Sequence, residues 1–198
     1  MQGGDDGRGT AGKAPLVFDA SGGAGYVPDA IGLRAGELVF GSRKLANVTA
    51  GLTLQGDLWR ANVSADELDG YLEYRPARRA TGAGRVFARL ARLNLPKGEV
   101  ERVESLLDEQ PATIPALDIV VDDFELRGKD LGKLEIEAVN RNVANRDGAR
   151  EWQLAKLNLT MPEAQLSATG TWGDAGGGAS SPRRATMNFT LALADSGA

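Results

Sequence analysis

The chain contains no histidine and no cysteine. These two side chains carry most nucleophilic catalysis, the commonest general base at neutral pH and most structural zinc sites. Serine or cysteine activation by histidine is therefore excluded. An enzyme built on this sequence would have to rely on carboxylates, lysine or tyrosine.

The remaining residues with catalytic or binding potential form no recognisable site. Asp118, Asp122 and Asp123 are clustered in "LDIVVDDFEL", but they lack the loop spacing of a calcium or magnesium site, so we interpret them as solvent-exposed or as polar residues at a strand end. The stretch "TGAGRVF" has two glycines of a dinucleotide-binding fingerprint and lacks the third. Arg183 and Arg184 are most simply the start of a strand, with contact to an anionic headgroup as the alternative. We predict no catalytic residue, no metal site and no cofactor.

Composition narrows the class of protein further. With 198 residues, the chain has room for one or two domains and for a sizeable core. Its formal net charge of −4 argues against nucleic acid as a partner. No apolar run reaches the length of a membrane-spanning helix, and the N-terminus lacks the charged and apolar regions of a signal peptide.

Alternating apolar and polar residues, punctuated by turn signals, predict a succession of β-strands. The predicted strands are Leu33–Phe40, Leu45–Leu54, Leu58–Ser64, Leu68–Arg75, Arg85–Leu95, Leu117–Arg127, Leu131–Asn140, Glu151–Thr160, Glu163–Trp172 and Ala185–Ala194. The segment "LPKGEVERVESLLDEQP" predicts one short helix near residues 98–108, capping a sheet edge or joining two halves of the fold.

The pattern also predicts how the chain is organised. Residues 1–30 are rich in Gly, Asp and Ala, and we interpret them as a flexible leader or linker in which Leu16–Phe18 is the only strand candidate. Residues 31–198 form a repeated β-meander. Its first copy starts at "LRAGELVFGSRKLANVTA" and its second at "IVVDDFELRGKDLGKLEIEA", and the alignment places Trp59 opposite Trp152.

The stretch "AKLNLTMPEAQLSATGTW" shows the alternation most clearly. Pro162 divides it into two strands, which predicts a hairpin. Leu157 and Leu159 before the turn can then face the same side as Leu166 and Ala168 after it. A similar apolar set follows the strand that starts near Leu45, consisting of Val48, Ala50, Leu52 and Leu54.

An antiparallel meander with one apolar face needs something to cover that face. One short helix cannot cover so many strands. The sequence alone favours a closed β-sandwich, in which two such faces meet. The alternative is a curled, groove-like sheet that holds an apolar ligand.

The same strands, in the same order, resemble a known family. "PALDIVVDDFELRGKDLGKLEIEA", "WQLAKLNLTMPEAQLSATGTW" and "RRATMNFTLALADSG" are similar to the C-terminal half of the large AsmA-like envelope proteins of Gram-negative bacteria, of the YhdP type. The preceding "LTLQGDLWRANVSADELDGYLEYRP" and "GRVFARLARLNLP" resemble the same region, so the similarity runs from about residue 31 to the end. The resemblance favours the curled, groove-like sheet over the closed sandwich.

The resemblance implies a segment of a long periplasmic protein whose parent is anchored in the inner membrane. Such proteins are bridge-like lipid carriers, so phospholipid acyl chains are the implied partner, and inner-to-outer-membrane lipid transport and outer-membrane barrier integrity are the implied role. Headgroup preference, direction of transport and oligomeric state stay open. The candidate groove-lining residues are Leu134, Ile136, Leu157, Leu159, Leu166, Ala168, Trp172, Met187, Phe189, Leu191 and Leu193.

Two other functions remain at this point. A structural or interaction β-sandwich without a lipid conduit would use the same residues as its core. A carboxylate enzyme such as a glycosidase is supported only by the abundance of acidic residues, since nothing places two of them at one site.

Overall fold

The computed structural model of the protein describes residues 16–18, 30–40, 43–77, 83–96, 114–142, 150–174 and 183–194. These residues form strands and no helix. The helix predicted near residues 98–108 lies outside the described residues. The strands are β1 (Leu16–Phe18), β2 (Ala30–Phe40), β3 (Arg43–Gln55), β4 (Leu58–Ser64), β5 (Leu68–Arg75), β6 (Arg85–Leu95), β7 (Ala116–Leu126), β8 (Lys129–Asp130), β9 (Lys133–Asn142), β10 (Arg150–Thr160), β11 (Ala164–Asp174) and β12 (Arg183–Leu193).

All of these strands belong to one sheet, in which spatial order follows chain order from β1 to β12, with β8 paired to β7 beside the main path. Neighbouring strands are antiparallel except for two parallel pairs, β1 with β2 and β6 with β7. The predicted mostly-β meander is therefore confirmed. The parallel pairs were not predicted; the one between β6 and β7 needs the long connection of residues 96–115, which returns the chain to the same end of the sheet.

The sheet is open and not closed into a barrel. In the described part of the chain, β12 pairs with β11 and β1 pairs with β2, and these two ends of the sheet do not pair with each other. Extensive contacts between strands join only neighbours in the sheet. This arrangement supports the open sheet rather than the closed sandwich.

The parallel pairing of β6 with β7 divides the sheet into two antiparallel runs of five neighbouring strands. The first run is β2 to β6, and the second is β7 followed by β9 to β12. The two similar sequence stretches lie in these runs. Trp59 and Trp152 are each close to the start of the third strand of their run.

Local irregularities interrupt the ladders, as register shifts in β10 between Leu154 and Leu157 and in β5 between Asp69 and Gly70, and as a left-handed residue in β3. In β3, Asn47 adopts a left-handed backbone conformation with φ 54°. Its Nδ2 atom donates to Asp66 Oδ2 at 2.7 Å, and the Ala46 amide donates to Glu67 Oε2 at 2.9 Å. The turn between β4 and β5 therefore holds Asn47 in this conformation. Bulges bend the strand and increase its twist.

The apolar side chains pack in three clusters, each built from neighbouring strands. The largest contains Ala88, Leu90, Val121, Leu134 and Leu159 from β6, β7, β9 and β10, together with Phe124. A second is centred on Val48 in β3, and a third on Ala138, Leu154 and Ala168. Val48 and Val121 are fully buried. The core thus follows the strand order along one side of the sheet.

Candidate functional site

One face of the sheet is apolar from β2 to β12. Residues paired directly across two strands point to the same side, so the register carries a face from each strand to the next. In the second run, Ile136 pairs with Leu157, Leu157 with Ala168, and Ala168 with Phe189. We call this side the apolar face. Alternation along each strand and register between strands define it together.

All eleven candidate groove residues lie on this apolar face. The register brings them together in rows, such as Leu134 beside Leu159 and Leu159 beside Leu166. Leu166 in turn pairs with Leu191. The predicted hairpin around Pro162 is confirmed, because Leu157 and Leu159 pair with Ala168 and Leu166.

The face also includes residues of the first run that were not among the candidates. Ile31 pairs with Leu52, Leu52 with Ala61, and Ala61 with Leu72. The parallel pair then joins the two runs, with Ala88 beside Ile119. The alternation in β3 was visible in the sequence. The sequence did not show that β6 and β7 are neighbours, which makes the two apolar sets one surface.

β-Bulges keep apolar side chains on the apolar face at positions where strict alternation would turn them to the polar face. Leu154 and Leu157 are three positions apart, yet both face the apolar side, because the register shifts between them. A similar shift between Asp69 and Gly70 lets Leu68 pair with Leu93. Without these shifts, half of each strand would present polar side chains to the apolar face.

Exposure differs sharply along the apolar face. In β12 the relative exposure is 41% for Met187, 66% for Phe189, 60% for Leu191 and 72% for Leu193. Leu159 on β10 and Ala168 on β11 are buried. β12 has a neighbour on one side within the described sheet, and these four apolar side chains are open to water there. Soluble proteins rarely expose such a patch without a function for it.

The opposite face is polar and carries several ion pairs. Glu73 accepts hydrogen bonds from Tyr71 Oη at 2.5 Å and from Arg60 Nε at 3.1 Å. The bond from Tyr71, followed by Arg60, lowers the pKa of Glu73, while the same bond raises the pKa of Tyr71. Arg89 lies 4.1 Å above the Phe87 ring. These contacts are typical of a hydrated sheet surface.

A second ion-pair group lies on the polar side of β9 and β10. Glu135 accepts a hydrogen bond from Lys156 and lies 3.1 Å from Lys133 Nζ. Both cations lower the pKa of Glu135, with the Lys156 bond the larger cause. A shallow depression of about 370 Å³ also opens on the polar side, beside Gly32 and Gly51.

The acidic residues noted in the sequence do not assemble into a cation site. Asp118 forms ion pairs with Arg89 at 2.8 Å and with Arg85 at 3.7 Å, and Asp122 and Asp123 are exposed. Within the described residues, no group of three or more acidic side chains is arranged to hold a metal ion. The described ranges also contain no helix with the length and hydrophobicity of a membrane span.

An open, single β-sheet with one apolar and one polar face is the architecture expected of an AsmA-like protein. A family model described as YhdP protein matches residues 16–197, so the chain belongs to the YhdP family of AsmA-like envelope proteins. No curated protein and no solved structure matches the chain.

Proposed function

We propose that this chain is a segment of a lipid-transfer protein, in which the apolar face shelters phospholipid acyl chains. The observation that carries the proposal is the unbroken apolar face of an open sheet, with Phe189, Leu191 and Leu193 each at least 60% exposed. Membership of the YhdP family supports the same role.

The chemistry of the face suits a mobile lipid. Acyl chains need apolar area and no directional contacts, and burial contributes about 25 cal/mol per Å² of apolar surface removed from water. Rows of similar aliphatic side chains continue from strand to strand, as in Leu134, Leu159 and Leu166. A lipid moving along these rows exchanges one apolar contact for another of similar energy. No bond is made or broken, so the proposed role is non-enzymatic.

We further propose that the face is the wall of a curled groove that crosses the periplasm. The bulge between Leu154 and Leu157 supports curvature, because bulges bend strands. In this proposal the parent protein is anchored in the inner membrane. It moves phospholipid between the inner and outer membranes and so maintains the outer-membrane barrier.

Native mass spectrometry of gently purified protein tests the lipid-binding role. We expect phospholipid to co-purify and to remain bound as adducts of one or a few lipids. A stable, compact and repeatedly lipid-free protein would contradict the proposal. That result would instead favour a structural or interaction module whose apolar face is covered by protein.

A further inference from the structure

The depression of about 370 Å³ on the polar face is formed by β2 to β5. Its floor contains Gly32 and Gly51, which are directly paired. The same row of paired residues continues to Asn62 and then to Tyr71, which also line the depression. A Cβ atom at either glycine would meet no heavy atom within 4 Å. The absence of two side chains from this row therefore leaves open space above the backbone.

The side chains that form the wall of the depression are held in place by other residues. Tyr71 Oη donates to Glu73 Oε1 at 2.5 Å, and Arg60 Nε donates to the same oxygen at 3.1 Å. Arg60 Nη1 also donates to Gln55 Oε1 at 2.7 Å. The Tyr71 ring meets the Phe87 ring at an angle of 71°, with the ring centroids 6.4 Å apart. Because the wall is fixed in advance, a ligand would lose little free energy in ordering it.

The lining combines an aromatic ring with neutral hydrogen-bonding groups. Among the described residues that line the depression, Arg60 alone is charged, and its ion pair with Glu73 balances that charge. Asn62 and Thr53 are exposed, so an amide and a hydroxyl, which can each donate and accept, are open to a ligand. Tyr71 adds an apolar ring surface to the same wall.

This chemistry and this size fit a small neutral ligand. Pockets for small molecules measure about 300–1,000 Å³, and the depression lies near the lower limit. Hard cations bind to carboxylate oxygens, which the lining lacks, and the charge of Arg60 is already balanced against a free anion. A pyranose ring has apolar C–H groups on its faces and hydroxyl groups around its rim. It therefore matches a wall that is aromatic in one part and neutral and polar in another.

We propose that the depression binds one pyranose unit of a neutral oligosaccharide. The sugar ring lies over the backbone of Gly32 and Gly51, with C–H groups directed at the electron-rich face of Tyr71. Its hydroxyl groups exchange hydrogen bonds with Asn62 and Arg60. The site lies on the face opposite the proposed lipid-binding surface, so it does not depend on the lipid-binding function proposed above.

The outer edge of β2 leaves room for the rest of the oligosaccharide. Within the described part of the chain, β1 covers this edge only at Leu38–Phe40. Gly32 lies six residues before that stretch, and an extended strand rises about 3.3 Å per residue. Neighbouring sugar units can therefore extend past the edge of the sheet beside Gly32.

NMR titration of the whole, isotope-labelled chain tests the site. The probes are chitotriose, which is built from N-acetylglucosamine, and maltotriose, which is built from glucose. We expect at least one of them to shift the Gly32 and Gly51 backbone amides and the Asn62 side-chain amide. Binding of chitotriose alone would identify an amino-sugar glycan as the ligand, and binding of maltotriose would identify a glucan. The proposal is overturned if neither sugar shifts these signals, or if inorganic phosphate shifts them as strongly as the sugars do.

Filling the floor of the depression should abolish most of the binding. In Gly51→Val, the added side chain occupies the space of the sugar ring, so the sugar Kd should rise at least about tenfold. The variant should fold, because valine favours strands and its Cβ meets no neighbour. Gly36→Val is the matched control, since Gly36 lies in β2 outside the lining and has equally open space for a Cβ. Equal Kd values for the two variants would contradict the proposal.

Removal of a single hydrogen-bonding group gives a finer test. Asn62→Ala should raise the sugar Kd about 2- to 12-fold, the range expected for one lost hydrogen bond. Asn188→Ala is the control, because Asn188 is also exposed and lies at the other end of the sheet, on β12. Its Kd should match that of the unchanged protein. Equal weakening by both variants would place the sugar outside the depression and contradict the proposal.

Discussion

Replacing Leu191 by serine should reduce lipid binding more than it reduces stability. Leu191 lies on the apolar face of β12, directly paired with Leu166, and is 60% exposed. Most of its side chain therefore contributes nothing to folding in the free protein. A bound acyl chain would cover that exposed part.

The size of the effect follows from the exposed fraction. Complete burial of a leucine side chain is worth about 1.5–3 kcal/mol. The covered 40% of Leu191 then contributes about 0.6–1.2 kcal/mol to folding, and lipid contact with the remaining 60% adds about 0.9–1.8 kcal/mol to binding. Leu191→Ser should thus raise the lipid Kd about 5- to 20-fold.

The assay is titration of purified protein with phosphatidylglycerol, paired with urea unfolding of each variant. Ala192→Ser is the matched control, because Ala192 is the next residue of the same strand and faces the polar side, paired with Gln165. The control should bind lipid like the unchanged protein. A Kd for Leu191→Ser within about twofold of the original, or a loss of more than about 2 kcal/mol in unfolding free energy, would refute the reasoning.

Three further predictions concern the sheet itself. Leu134 is buried in the main cluster, so Leu134→Ala should lower the unfolding free energy by about 2–5 kcal/mol in urea titrations; a loss near zero would show a poorly packed site. Gly70 has φ 142°, and a Cβ there would lie 2.5 Å from the Arg89 carbonyl oxygen, so Gly70→Ala should cost at least about 1–3 kcal/mol by the same measurement. Unchanged stability would contradict that close approach. The lowered pKa of Glu135 stabilises the fold above the ordinary value of 4.5, and this contribution is lost as pH falls through the lowered value. Glu135→Gln should therefore reduce Tm at pH 7, by the equivalent of up to about 1 kcal/mol, and have little effect near pH 2; an equal reduction at both pH values would contradict the ion-pair origin.

Local features of the fold could be predicted from the sequence because they depend on alternation and on turn residues. The hairpin around Pro162 is an example, since the positions of Leu157, Leu159, Leu166 and Ala168 fix which side chains share a face. The parallel pairing of β6 with β7 could not be predicted in this way. It depends on a long connection, and strand periodicity carries no information about which distant strand becomes the neighbour.

For the same reason, the sequence predicted candidate groove residues only in the second run of strands. Alternation placed Leu191 and Phe189 on one face, but it could not show how far they stay exposed, because exposure depends on the neighbouring strand. The bulge between Leu154 and Leu157 was also missed. An extra residue in a strand changes the face without any change in composition, so sequence periodicity shows it only as a break in the pattern.

Photo-crosslinking at successive residues of β12 tests the central claim most directly. A benzophenone amino acid is placed in turn at Asn188, Phe189, Thr190 and Leu191, and the protein is illuminated after loading with phospholipid. The apolar-face positions, Phe189 and Leu191, should form lipid adducts, and the polar-face positions, Asn188 and Thr190, should not. Adducts of equal yield at all four positions, or none at any, would contradict the assignment of the apolar face as the lipid-binding surface.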